Sequence, residues 1–149
     1  YKRQTMHKVA GQIEAAIGVP FVHIADPVVQ AAQAAGTLSV GLLGTAFTME
    51  QAFLKGRLED QGLKVLVPDA AQRQAVHRII YEELCVGVVS ESSRRLYQHV
   101  IDGLQARGAE AIILGCTEIG LLKPEHSALP LLDTTELHAR AAVDFALLE

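Results

Sequence analysis

The run "AIILGCTEIGLL", residues 111–122, decides the fold. Ala111, Ile112, Ile113 and Leu114 form the most apolar stretch in the second half of the chain. Four consecutive apolar residues closed by a glycine read as a short strand covered on both faces. Gly115-Cys116-Thr117 is then its exit turn, and a helix is expected to begin there. A cysteine at such a junction is either a working thiol or a small buried residue at a tight turn.

The same alternation extends in both directions. Residues 19–24, Val19-Pro20-Phe21-Val22-His23-Ile24, read as a short buried strand. Asp26-Pro27 reads as an N-cap with proline at N1, opening a helix to about Ala35 that Gly36 ends. Residues 39–43 form a second strand, with Gly44-Thr45-Ala46-Phe47 as its turn. Thr48-Met49-Glu50-Gln51 matches a capping box, with Thr48 as N-cap of a helix to about Gln61. Residues 63–67 are a third strand, ended by Pro68. Ala70 to about Val86 is helical, with Val76, Ile79, Ile80 and Leu84 on one stripe. Ser90 caps another helix to about Arg107, and residues 129–132 form a last short strand. Asp133-Thr134-Thr135-Glu136 opens the final helix. Strands alternating with helices specify an α/β domain with a parallel sheet. In such sheets ligands bind beyond the C-terminal ends of the strands. Here those ends carry His23-Ile24-Ala25-Asp26, Gly44-Thr45 and Gly115-Cys116-Thr117.

Composition narrows the function. The chain has 149 residues, half of them hydrophobic, and a formal net charge of −4, which suits one domain-sized core. No Lys/Arg stripe points to nucleic acid, and no apolar run approaches the roughly 20 residues of a membrane span. No signal peptide is legible, because Lys2-Arg3 is followed by Gln4-Thr5-Met6-His7-Lys8. Two cysteines make no disulfide framework, so a reducing cytoplasm is the expected setting. No CxxC, HExxH or paired histidine spacing suggests a metal, and no GxGxxG or P-loop suggests a nucleotide. The chain begins at Tyr1 inside a helical spacing of Val9, Ile13 and Ala16, the start expected of a fragment or a processed chain.

At a helix N-terminus, free amides and the helix dipole favour a thiolate, so Cys116 is expected to carry a lowered pKa and to serve as base, nucleophile or metal ligand. The alternative is packing at a tight turn. Cys85, between Leu84 and Val86 late in a helix, reads as a packing residue. Thr45 and Thr117 suit a substrate carboxylate held with the turn amides, or else local caps. Glu118 opposes the dipole at a helix start. His77 and His99 read as helix-face residues. His23, near a strand end, reads as an ordinary satisfied histidine, with lining of the cleft as the alternative.

"ILGCTEIGLL" resembles the second cysteine motif of the aspartate/glutamate racemase superfamily. "TMHKVA" (5–10), "VGLLGTAFTMEQAFLKGRL" (40–58), "IIYEELCVG" (79–87) and "LLDTTELHARAAVDF" (131–145) agree with that family in order and spacing. The resemblance covers nearly the whole chain and is nearest to broad-specificity bacterial enzymes. It implies an α/β sandwich of two pseudo-symmetric lobes, of which this chain would hold one complete and one partial. Residues of about 36–128 would form the central lobe, and 1–35 with 129–149 a remnant of the N-terminal lobe. It implies an isomerase acting on an amino acid or dicarboxylate with no pyridoxal phosphate, no other cofactor and no metal. Two thiols would flank the substrate, one removing the α-proton and the other delivering a proton to the opposite face. By position, Cys116 would be one of the two. Thr45 and Thr117 would bind carboxylate, with Thr5 contributing from the first motif.

The sequence departs from that pattern at its start. Counting back from Thr5, Lys2 stands where the family has its first cysteine. Two-thiol racemisation by an isolated monomer is therefore not expected. A one-cysteine relative of the decarboxylase type and a non-catalytic carboxylate-binding module stay open. Apolar faces left without their lobe are expected to drive homo-oligomerisation, by exchange of the N-terminal or C-terminal helix between protomers.

Overall fold

A computed structural model describes residues 3–123 and 127–147, with side chains from Thr5 onward. Tyr1, Lys2 and His126 lie outside the described residues.

Among these, four strands form one parallel sheet. They are β1 (Ser39–Leu43), β2 (Lys64–Leu66), β3 (Ala111–Leu114) and β4 (Leu131–Asp133), in the order β2-β1-β3-β4. The register pairs Leu43 with Leu114, and Leu114 in turn with Asp133. The C-terminal ends of the three strands therefore lie side by side.

Side chains alternate between the two faces of the sheet. Val40, Leu42, Ala111 and Ile113 point to one side, toward Ile24, Val28, Leu54 and Leu58. Leu43, Ile112 and Leu114 point to the other, toward Val76, Ile80, Tyr97, Val100 and Leu104. Helices α3 (Ala25–Ala34) and α5 (Ala52–Asp60) cover the first face, with α8 (Thr134–Leu147) packed against α3. Helices α6 (Ala70–Glu82) and α7 (Glu91–Ala106) cover the second. Gly41 lets α7 approach closely, since a Cβ there would stand 2.7 Å from Ile112 Cδ1 and 2.9 Å from Leu104 Cδ1.

The N-terminal segment is helical. It runs through α1 (Arg3–Met6), a 3-10 turn (His7–Val9) and α2 (Ala10–Ala16), docking on α5 and on the short helix α4 (Ala46–Glu50). Residues 19–24 are not a strand. Histidine side chains bond backbone groups of this segment and of the start of α3. His7 Nδ1 accepts from the Ile24 amide at 3.3 Å, His23 Nδ1 from the Ala25 amide at 3.1 Å, and His138 Nε2 donates to the Val22 carbonyl at 2.8 Å.

Several local boundaries also differ from expectation. Asp26 is not the cap of α3, which begins one residue earlier. Its carboxylate instead takes a two-pronged ion pair from Arg57, at 2.8 and 2.9 Å. Thr48 is not an N-cap. Thr45 caps α4, and extended backbone at Gln51 separates α4 from α5. The α6 helix stops at Glu82, and Cys85 sits exposed on a 3-10 turn (Leu84–Val86) rather than packed in a helix. No helix among the described residues is long and apolar enough to cross a membrane.

Candidate active site

The candidate site is built where β1, β3 and β4 end. The Gly115 amide donates to the Leu43 carbonyl at 2.7 Å, which ties the β3 turn to the last residue of β1. Both turns need glycine. A Cβ on Gly115 would stand 2.9 Å from the Leu43 carbonyl oxygen, and one on Gly44 would stand 3.2 Å from the Gly115 carbonyl oxygen. Thr134 Oγ1 donates to the Leu114 carbonyl at 2.8 Å, fastening the end of β4 to the same point. Asp133 Oδ1 accepts from the Thr135 amide at 2.9 Å and so caps α8, as its position in the sequence suggests.

Cys116 follows directly on this knot and is 5% exposed. The element after it is not an α-helix but a 3-10 helix (Thr117–Leu122). Any lowering from the amides at its start is outweighed by burial. The shift has the opposite sign from the expected one. Burial, followed by the hydrogen bond to Glu118, pushes the thiol up to about 12. Cys116 Sγ donates to Glu118 Oε2 at 2.8 Å. The resting group is thus a neutral thiol hydrogen-bonded to the Glu118 side chain.

Thr45 is buried and its hydroxyl works locally. It accepts from the Thr48 amide at 3.4 Å and lies 3.2 Å from Thr48 Oγ1. Thr117 is exposed immediately beside Cys116. Thr5 is half-buried on α1, which packs against α4. The structure thus places Cys116 and Thr117 on one strand end, Thr45 on the neighbouring one, and Thr5 on the helix that covers α4.

Two residues around the site were not singled out for it by their sequence positions. Glu118 is the thiol's partner, and the only prior signal was its spacing of two from Cys116. His77 lies on α6, yet its Nδ1 accepts from the Ala46 amide at 3.2 Å and so braces the turn that carries Thr45. Nothing in the periodicity of α6 separates it from any other helix-face residue. His23, in contrast, is the satisfied buried histidine expected. Among the described residues no group of three or more His, Cys, Asp or Glu side chains is placed to hold a metal ion.

Comparison with known proteins agrees with this fold. The family of Asp/Glu/hydantoin racemases matches residues 4–142, and the chain belongs to that family. The structure of a Yersinia pestis protein assigned as an Asp/Glu racemase superposes with a TM-score of 0.92 at 53% identity over 96% of this chain. An aspartate racemase homologue from Pyrococcus horikoshii gives 0.87 at 32% identity over 95%. This chain spans 63% of the length of each of those two. Glutamate racemase from Francisella tularensis, solved with D-glutamate, shares the fold, with a TM-score of 0.71 at 17% identity over 97% of this chain and 54% of its own.

Proposed function

We propose that this chain carries one catalytic half of a cofactor-independent aspartate/glutamate racemase, with Cys116 as its acid–base thiol. The observation that carries this reading is the Cys116–Glu118 hydrogen bond at the end of β3, inside a racemase-family fold. The α-proton of an amino acid is very weakly acidic, so a base alone does not suffice. The carbanion needs a dry site with donors aimed at the carboxylate. A buried neutral thiol supplies a proton to the α-carbon directly. It takes one up after passing its own to Glu118, which lies within the reach that proton transfer requires. Thr45, Thr117 and Thr5 hold the carboxylate groups of an amino acid or dicarboxylate. Thr45 does so by releasing Thr48, its present partner.

One thiol serves one face of the substrate, so inversion requires a second acid on the opposite face. Lys2 stands three residues before Thr5, where the resemblance to the racemase motif would put a first cysteine. One-sided α-proton exchange is therefore the activity this chain performs by itself. The setting consistent with a free working thiol is the cytoplasm.

Incubation with L-aspartate, and separately L-glutamate, in deuterated water tests this by NMR. The α-proton signal is expected to disappear with native protein and to persist with Cys116→Ala. Chiral analysis of the same sample separates exchange on one face from inversion. Persistence of the signal with folded native protein overturns the enzymatic reading. If a dicarboxylate still binds, a carboxylate-binding module remains.

A further inference from the structure

Helix α4 follows Thr45 directly and has only five residues, too few to hold itself by its own hydrogen bonds. Its cap is long: Thr45 Oγ1 accepts from the Thr48 amide at 3.4 Å, beyond the usual N–H···O range. Further support comes from α6, which packs against α4. At the start of α4, His77 Nδ1 accepts from the Ala46 amide at 3.2 Å. At its end, Arg73 Nε donates to Glu50 Oε1 at 3.0 Å. Residues 73 and 77 stand one turn apart on one face of α6, so that face grips α4 at both ends. Between the grips, Met49 is buried in one cluster with Val76 and Ile80. The two grips are unequal. The Glu50 side chain is 51% exposed, and an ion pair so open to solvent contributes little. The His77 bond is partly buried and reaches the amide directly after Thr45.

We propose that His77 is a positioning residue: from α6 it holds the turn after β1, so that the Thr45 hydroxyl can leave Thr48 for a substrate carboxylate. The Thr45 hydroxyl is engaged with Thr48 twice, with the amide at 3.4 Å and with Oγ1 at 3.2 Å. Binding a carboxylate means giving that cap up, and a helix this short frays when its cap is lost. The two demands are compatible only if another group holds the turn while the cap is open. His77 does so through the backbone, so its bond to the Ala46 amide survives rotation of the Thr45 side chain. One residue away along the chain, it also fixes where the Thr45 hydroxyl stands. This rests on Thr45 as a carboxylate-binding residue, and it adds the group that lets Thr45 take that role with α4 still folded.

Amide hydrogen exchange followed by NMR tests the holding without any substrate, and Thr45→Val mimics a turn whose hydroxyl has been given away. The reporter is the Met49 amide, which donates to the Thr45 carbonyl at 3.0 Å. In Thr45→Val it is expected to exchange within about threefold of its native rate. Adding His77→Ala is expected to speed it at least about tenfold, the loss of one hydrogen bond, and His77→Asn, which keeps an acceptor, to restore it. Amides of β1 and β3 are the internal standard. Fraying of α4 in Thr45→Val alone overturns the proposal. So does a rise of equal size in the β1 and β3 amides, which would make His77 a general support of the fold. A second arm follows α-proton exchange of L-aspartate. His77→Ala is expected to raise KM about tenfold with the rate at saturation nearly unchanged, and His77→Asn to recover it. A lowered saturating rate at native KM also overturns the proposal. A native chain that exchanges no α-proton removes the racemase reading, while the amide rates still decide what holds α4.

Discussion

Single residues decide the chemistry at the end of β3. The 2.8 Å bond from Cys116 to Glu118 gives a prediction with two opposite signs. Glu118 raises the thiol pKa, both as acceptor of its proton and as a nearby negative charge. Glu118→Gln should therefore lower that pKa and speed thiol modification at pH 8 several-fold. If Glu118 also takes the proton during turnover, the same variant should exchange the substrate α-proton at least about tenfold more slowly. Modification kinetics and NMR exchange on one preparation check both, and a joint rise would remove Glu118 from proton transfer. Gly115 is the second decisive residue. An added Cβ meets the Leu43 carbonyl oxygen at 2.9 Å, and backbone cannot move aside as a side-chain tip does. Gly115→Ala should cost roughly 2–3 kcal/mol in urea unfolding, with loss of the Cys116 activity.

At the scale of elements, the N-terminal segment docks through histidines. His7 is buried, its ring centroid 4.6 Å from His23 and 5.5 Å from His138. Burial, then the neighbouring His23 and His138 and the Arg57 guanidinium, lower its pKa to about 4, against the opposing pull of Asp26. His23 is lowered too, by burial first and then by Arg57. The folded state therefore holds both rings neutral. Above about pH 6.5 the unfolded chain is neutral as well, and nothing is lost. Between about 6.5 and 4 the unfolded chain binds protons that the folded His7 refuses, so stability falls as pH falls. For His7 alone the loss is on the order of 3 kcal/mol by pH 4. Urea midpoints at pH 7, 5.5 and 4.5 measure it. His7→Asn keeps an acceptor for the Ile24 amide and should flatten the slope. An unchanged slope would place the acid sensitivity elsewhere.

For the molecule as a whole, exposed apolar side chains lie on the N-terminal segment (Met6, Val9, Ile17 and Val19), around Val86, Val88 and Val89, and on the last helix. Val143, Phe145 and Leu147 of α8 are 55%, 42% and 79% exposed. The chain spans 63% of the length of the Yersinia and Pyrococcus proteins compared above, and α8 packs on α3 and on the edge strand β4. Self-association is the expected outcome, by light scattering across a concentration series. Val143→Lys with Phe145→Glu should shift the distribution to monomer. A monomer already present at high concentration in the native chain would refute it.

The alternation of apolar runs with helix-period stretches, punctuated by Gly36, Gly62 and Gly108, was enough to specify parallel α/β architecture and the turn that carries Cys116. Backbone propensity and burial act locally there, and the sequence displays both. Local pattern did not decide which strands become neighbours, nor that residues 19–24 would surrender backbone groups to His7 and His138. It also could not set the sign of the thiol's shift. That sign depends on burial among Tyr97, Ile119 and Leu122 and on a carboxylate 2.8 Å away. Such terms arise from groups that the fold brings together, so only the tertiary structure could supply them.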